Sequence, residues 1–109
     1  MDPKVVRYAE VIPVEARPGI WRCTLAWGQR AMLLESTFDA GADLAEHSHP
    51  HEQITYLLSG ELEMRVGDKA YSLAPGDSVL IPPGVRHGAT AHKKTVVIDA
   101  FSPPNEDFK

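Results

Sequence analysis

Glycine and proline interrupt this chain at nearly every step, leaving only short apolar or alternating runs, and that punctuation rules out most helical folds. Its 109 residues include 8 glycines and 9 prolines, and no run of ten or more shows a convincing helical period. Alternation bounded by turn residues is the pattern of antiparallel β structure. Residues 20–27 alternate, with Trp21, Cys23, Leu25 and Trp27 on one face and Arg22 and Thr24 on the other. Residues 31–38 read as a second strand. Residues 54–58 are apolar on both faces, as in a central strand, and 61–66 set Leu62, Met64 and Val66 against Glu61, Glu63 and Arg65. Gly67-Asp68 forms a two-residue hairpin turn into residues 69–73. Pro75-Gly76-Asp77 is another turn, followed by a buried strand at 78–81, a last long strand at 95–101 and an extended tail at 102–109. Many short strands in a chain of this size predict a barrel or sandwich, because closure removes exposed edges.

Composition narrows the function classes. Residues 1–109 are expected to form a single domain, burying somewhat over ~60% of the unfolded surface. The formal net charge is −4, with no basic cluster beyond Lys93-Lys94, so no electrostatic footprint for nucleic acid is present. Cys23 is the one cysteine and has no internal disulfide partner; a small core residue is the expectation. The start of the chain lacks the apolar core of a signal peptide, and no stretch approaches the roughly 20 residues of a membrane helix. A cytoplasmic protein without a membrane partner is expected.

The residues that carry chemistry fall in two framed segments. The first places His47, His49 and Gln53 between Gly41 and Gly60; the second places Pro82, Gly84 and His87 after Gly76. On a strand, His47 and His49 point the same way, roughly 6.6 Å apart at about 3.3 Å per residue, which suits two imidazoles converging on one ion. A straight strand would carry Gln53 roughly 20 Å from His47, so the chain must turn between them. Pro50, with fixed φ and no N–H, is where one strand stops and a neighbouring one begins. His87 arrives from a distant hairpin behind the rigid Pro82-Pro83-Gly84 turn. Gly41, Gly60, Gly76 and Gly84 read as turn glycines.

The two segments resemble the two motifs of the cupin superfamily. Both glycines of the first segment, all three histidines and Pro82-x-Gly84 fall in register, with motif 1 at residues 41–60 and motif 2 at 76–91. The resemblance implies an all-β double-stranded β-helix, or jelly-roll barrel, often paired as a homodimer through exposed strands. It also implies that His47, His49, Gln53 and His87 hold one divalent transition-metal ion in the barrel mouth. Three imidazoles and one oxygen suit Zn, Ni, Fe or Mn. The position commonly held by glutamate is here Gln53, and Ala91 replaces a frequent asparagine. A neutral ligand weakens metal affinity but leaves the ion a stronger Lewis acid for an anionic substrate oxygen.

Within that superfamily the chain is similar to small bacterial cupins of pectin and alginate breakdown, which convert 4,5-unsaturated uronates to linear keto-deoxyuronates. That likeness extends to Gln53, Asp99 and Phe101 and fails at Asn105, where an arginine is usual.

Asp99 interrupts an otherwise apolar strand, so its carboxylate must be paired, solvated or shifted in pKa. A salt bridge to Arg86 or Arg22 is one explanation, and contact with substrate the other. His51 supports a ligand or faces solvent or, since an unperturbed imidazole titrates near neutrality, serves as a general acid/base alongside Asp99. Tyr56, Met64, Phe38 and Phe101 are candidate cavity-lining contacts for a small anionic substrate. Glu46 and Glu52 are solvated, Arg86 faces away from the site, and Trp21 and Trp27 belong to the core or a dimer interface. The leading expectation is a metal-dependent isomerase or lyase acting on a sugar acid. The alternatives are an iron-dependent dioxygenase and a non-enzymatic metal or small-molecule binding module.

Overall fold

The computed structural model describes residues 2–109. Its strands are β1 (Val14–Arg17), β2 (Ile20–Trp27), β3 (Met32–Phe38), β4 (Asp43–His47), β5 (Glu52–Ser59), β6 (Leu62–Val66), β7 (Lys69–Leu73), β8 (Ser78–Ile81), β9 (His87–Ala91) and β10 (Thr95–Ser102). Two short 3-10 turns, Tyr8–Glu10 and Glu106–Phe108, flank them. No helix among the described residues is long and apolar enough to cross a membrane.

The strands form a six-stranded sheet in the order β1-β2-β3-β10-β5-β8 and a four-stranded sheet in the order β4-β9-β6-β7, every pairing antiparallel. The core lies between them. Ile20, Phe38, Leu57, Ile81 and Val97 from the large sheet meet Leu62, Met64, Leu73, Ala89 and Ala91 from the small one. Each strand lends alternate residues to this layer, as the pleat requires. The result is the expected all-β jelly roll.

Turn chemistry sets the connections. Gly67-Asp68 closes the β6–β7 hairpin, Gly67 having a φ of 60°. At Gly60 the φ is 100°, and a Cβ there would overlap the Lys94 carbonyl and Thr95. Only glycine fits where β5 leaves one sheet for β6 of the other. Gly41, Gly76 and Gly84 also have positive φ.

Several expectations need correction. His49 is on no strand; it lies in the segment joining β4 to β5, and that turn carries the chain to the opposite sheet rather than to a neighbouring strand. Strand β8 is an edge, alternating rather than wholly buried, with Leu80 exposed and Ile81 inside. Residues 54–58 do not have two covered faces: Ile54, Tyr56 and Leu58 are exposed. Cys23 is a buried core residue as expected, opposite Glu35 of β3, while Arg22 of the same strand turns into the barrel. The tail is not simply extended. It folds back in the Glu106–Phe108 turn and seats Phe108 against Phe101.

Candidate metal centre

Histidines 47, 49 and 87 converge from three different elements. His47 ends β4, His87 begins β9, and the two are register partners. Leu44 and His47, although of opposite parity, both turn inward because the β4–β9 register shifts between them. An irregularity of this kind re-aims a side chain. Gly88 lies against it, and a Cβ at Gly88 would come within 2.7 Å of the Leu44 carbonyl oxygen. His49 is held by its backbone, whose carbonyl accepts a 2.8 Å hydrogen bond from the Gly84 N–H. The Pro82-Pro83-Gly84 turn thus fixes one histidine directly and launches the strand that carries another.

All three rings are oriented the same way. Nδ1 of His47 lies 3.0 Å from the Ala45 carbonyl, that of His49 lies 3.2 Å from the His51 carbonyl, and that of His87 lies 2.9 Å from the Val85 carbonyl. A carbonyl oxygen only accepts, so each Nδ1 carries the proton and each Nε2 keeps a lone pair. The nearest ligating atoms of the three residues all lie within 4.8 Å of one another. His87 is buried and its Nε2 has no hydrogen-bond partner. Burial and the neighbouring imidazoles hold its pKa below the usual histidine range, which keeps the ring neutral.

Gln53 completes the cluster. Its Nε2 donates to Thr55 Oγ1 at 3.0 Å and points to Asp99 Oδ1 at 3.5 Å, while Thr55 donates to Asp99 Oδ1 at 2.6 Å. That network turns Gln53 Oε1 toward His49 Nε2, at 2.9 Å. With the proton on Nε2 this contact is a hydrogen bond, whereas with the proton on Nδ1, facing the His51 carbonyl, both atoms present lone pairs that a shared cation accepts. An orphaned buried Nε2, parallel tautomers and an inward amide oxygen together fit a divalent transition metal.

Asp99 stands on the inward face of β10, opposite Thr55 of β5 and Leu34 of β3. It makes no salt bridge. Arg86 pairs with Glu46 at the surface, and Arg22 lies over the Phe108 ring. Ser36 Oγ also donates to Asp99 Oδ2, at 3.5 Å. Burial pushes the Asp99 carboxyl up to about 6, although the hydrogen bonds from Thr55, Gln53 and Ser36 favour its charged form.

These groups share a cavity of about 390 Å³. Phe38, Met64 and Phe101 line it as expected, whereas Tyr56 does not, because the parity that turns Gln53 and Thr55 inward turns Tyr56 out. His51 is not part of the lining either. Its ring stands beside those of His49 and Phe101, and its carbonyl accepts from His49 Nδ1, which orients that ring. Glu46 and Glu52 are exposed, and Trp21 and Trp27 face outward.

Thr55, Ser36, Arg22 and Asn105 were not anticipated as lining residues. Thr55 was within reach of sequence reasoning, since counting parity from Gln53 places it inside and Tyr56 outside. Arg22 had been considered only as a salt-bridge partner.

An antiparallel double-sheet barrel with three imidazoles and an amide converging in its cavity defines a jelly-roll protein equipped to bind a metal ion. The chain belongs to the cupin family: residues 34–101 match the Cupin domain. It is 31% identical to the pectin degradation protein KdgF of Dickeya dadantii (strain 3937), over 86% of this chain and 87% of that protein. The solved structure of KdgF from Halomonas sp. superposes with a TM-score of 0.93 at 32% identity, covering 99% of this chain and 100% of that one. An RmlC-like cupin from Shewanella frigidimarina NCIMB 400 gives a TM-score of 0.93 at 31% identity, with 99% and 97% covered.

Proposed function

We infer that this cupin holds one divalent transition-metal ion through His47, His49, His87 and Gln53 and linearises a 4,5-unsaturated uronate. The observation that carries this is the hydrogen-bonded path from Asp99 through Thr55 to Gln53, which ties a buried carboxyl, pushed up to about 6, to a residue of the candidate metal cluster. Likeness to two proteins named KdgF, one of them described as a pectin degradation protein, supports a substrate derived from a polyuronate.

The chemistry is an isomerisation. The proton of the C1 hydroxyl leaves, the bond from C1 to the ring oxygen breaks to give an aldehyde, and the enolate released at C5 becomes a ketone by taking a proton at C4. No atom is gained or lost overall. In this reading Asp99 accepts the first proton and delivers the second, and a carboxyl pushed up to about 6 by burial suits a group that does both. Thr55 and Ser36 hold its two oxygens, and Phe101 covers the adjoining wall against water. When bound, the metal ion supplies a Lewis acid that stabilises negative charge developing on substrate oxygen.

Loss of the ultraviolet absorbance of 4,5-unsaturated galacturonate tests this assignment. The purified protein is expected to consume it, and Asp99→Ala is expected to abolish turnover while retaining metal. Survival of activity in Asp99→Ala removes the proton-transfer role. Oxygen uptake with Fe(II) in place of isomerisation removes the reaction class.

The outer face of the large sheet supports a homodimer. Leu80, Ile54, Ala100 and Leu33 are successive register partners across β8, β5, β10 and β3, and Leu80, Ile54 and Leu33 are exposed. A contiguous apolar row of this kind marks an association surface. Light scattering is expected to give twice the chain mass for the wild type and the single-chain mass for Ile54→Lys.

A further inference from the structure

Strand β2 turns Arg22 and Thr24 into the barrel, opposite Ser36 and Leu34 of β3. A guanidinium in such a place ordinarily has a carboxylate partner, since removing it from water is costly. Arg22 has none. Among the described residues Arg65 pairs with Asp43 and Glu63, and Arg86 with Glu46, but Arg22 makes no ion pair and no side-chain hydrogen bond. Asp107 lines the same cavity without pairing to it. Burial holds the Arg22 pKa below its ordinary value, so part of its hydration has been lost without replacement.

The planar group is nonetheless held in place. Its central carbon lies 4.3 Å from the centroid of the Phe108 ring. Phe108 is fixed in turn: Thr24 Oγ1 donates to its carbonyl at 2.6 Å, and Asn105 Oδ1 caps the turn by accepting from the Asp107 N–H at 3.0 Å. The rings of His49 and Phe101 lie 5.4 Å apart, and those of Phe101 and Phe108 5.7 Å. His49, Phe101, Phe108 and Arg22 therefore follow one another along one wall, with the metal centre at one end and an unpaired guanidinium at the other. Arg17, also in the lining, adds a second positive charge.

We propose that Arg22 is the residue that recognises the substrate's carboxylate, making the cavity selective for a sugar acid over its neutral counterpart. A stacked, planar guanidinium presents paired N–H donors that match a carboxylate in bidentate fashion. This deepens the assignment of a uronate substrate and rests on it.

The test compares 4,5-unsaturated galacturonate with its methyl ester on metal-loaded wild type, Arg22→Gln and Arg22→Lys. Arg22→Gln is expected to raise KM for the acid by about tenfold to a hundredfold, with kcat within about threefold. KM for the ester and metal content are expected to stay unchanged. Arg22→Lys, which keeps the charge but not the fork, is expected to fall between and provides the decision if Arg22→Gln does not fold. Equal discrimination between acid and ester in wild type and variants overturns the proposal. Should the wild type turn over neither compound, the uronate reaction falls, and calorimetric binding of galacturonate and its methyl ester decides Arg22 separately. A preference for the acid that disappears in the Arg22 variants supports the role; no preference in the wild type, or one the variants retain, overturns it.

Discussion

The two ends of the cavity are built by different means. At the histidine end, each imidazole is oriented by a backbone carbonyl two residues away in sequence, and one short turn fixes both His49 and the start of β9. At the arginine end, Arg22 of β2 lies against the ring of Phe108, a residue that Thr24 bonds across 84 positions of the chain. The first site takes its ring orientations from local hydrogen bonds and its assembly from the β4–β9 pairing, neither of which involves the C-terminal turn, whereas the second exists only when that turn has docked. The metal centre should therefore tolerate damage to the tail, and the arginine wall should not.

The largest expected effect comes from attacking the local end. His87→Ala removes a buried ligand and should lower metal affinity by more than about 100-fold, measured by elemental analysis after equilibration with a competing chelator. Full metal retention would mean that the three rings do not act as one site.

Asp99, between the two ends, gives a pH signature in protein stripped of metal. Its folded pKa of about 6 lies above the ordinary 3.8. The folded state thus binds the proton more tightly, so this stabilisation is fully present below about pH 4 and is lost as pH rises through about 6. The change is on the order of 3 kcal/mol. Denaturant melts across that window should show Asp99→Asn lacking the decline; a parallel profile would place Asp99 in contact with solvent.

Phe108→Ala attacks the long-range end and should cost less. A partly exposed ring is worth about 1–3 kcal/mol. Thermal melts should show that loss, together with a raised KM and unchanged metal content. Loss of metal in this variant would erase the distinction between the ends.

What could be read in the sequence follows the same division. The β architecture and the turns at Gly67 and Gly76 depend on alternation and glycine conformations, which are local signals, whereas the gathering of His87 with His47 and His49 was legible through the resemblance of the two framed segments to known motifs. The re-aiming of His47 was less visible, because it depends on a register shift beside Gly88, a glycine whose role is close backbone approach rather than positive φ. Tyr56 is a candidate lining residue by its type alone; parity from Gln53 separates Thr55 from Tyr56, whereas residue type does not. The docking of Phe108, the burial of Asn105 and the isolation of Arg22 had no local signature. Each depends on which residues of distant strands the tail meets.

The central claim is that metal and carboxyl act together on an unsaturated uronate, and one titration tests it directly. The protein is stripped with a chelator, and loss of 4,5-unsaturated galacturonate absorbance is followed as a divalent metal is returned. Turnover is expected to be absent without metal and to rise with occupancy until one ion is bound per chain. Equal turnover before and after metal return, or none at full occupancy, would contradict the account.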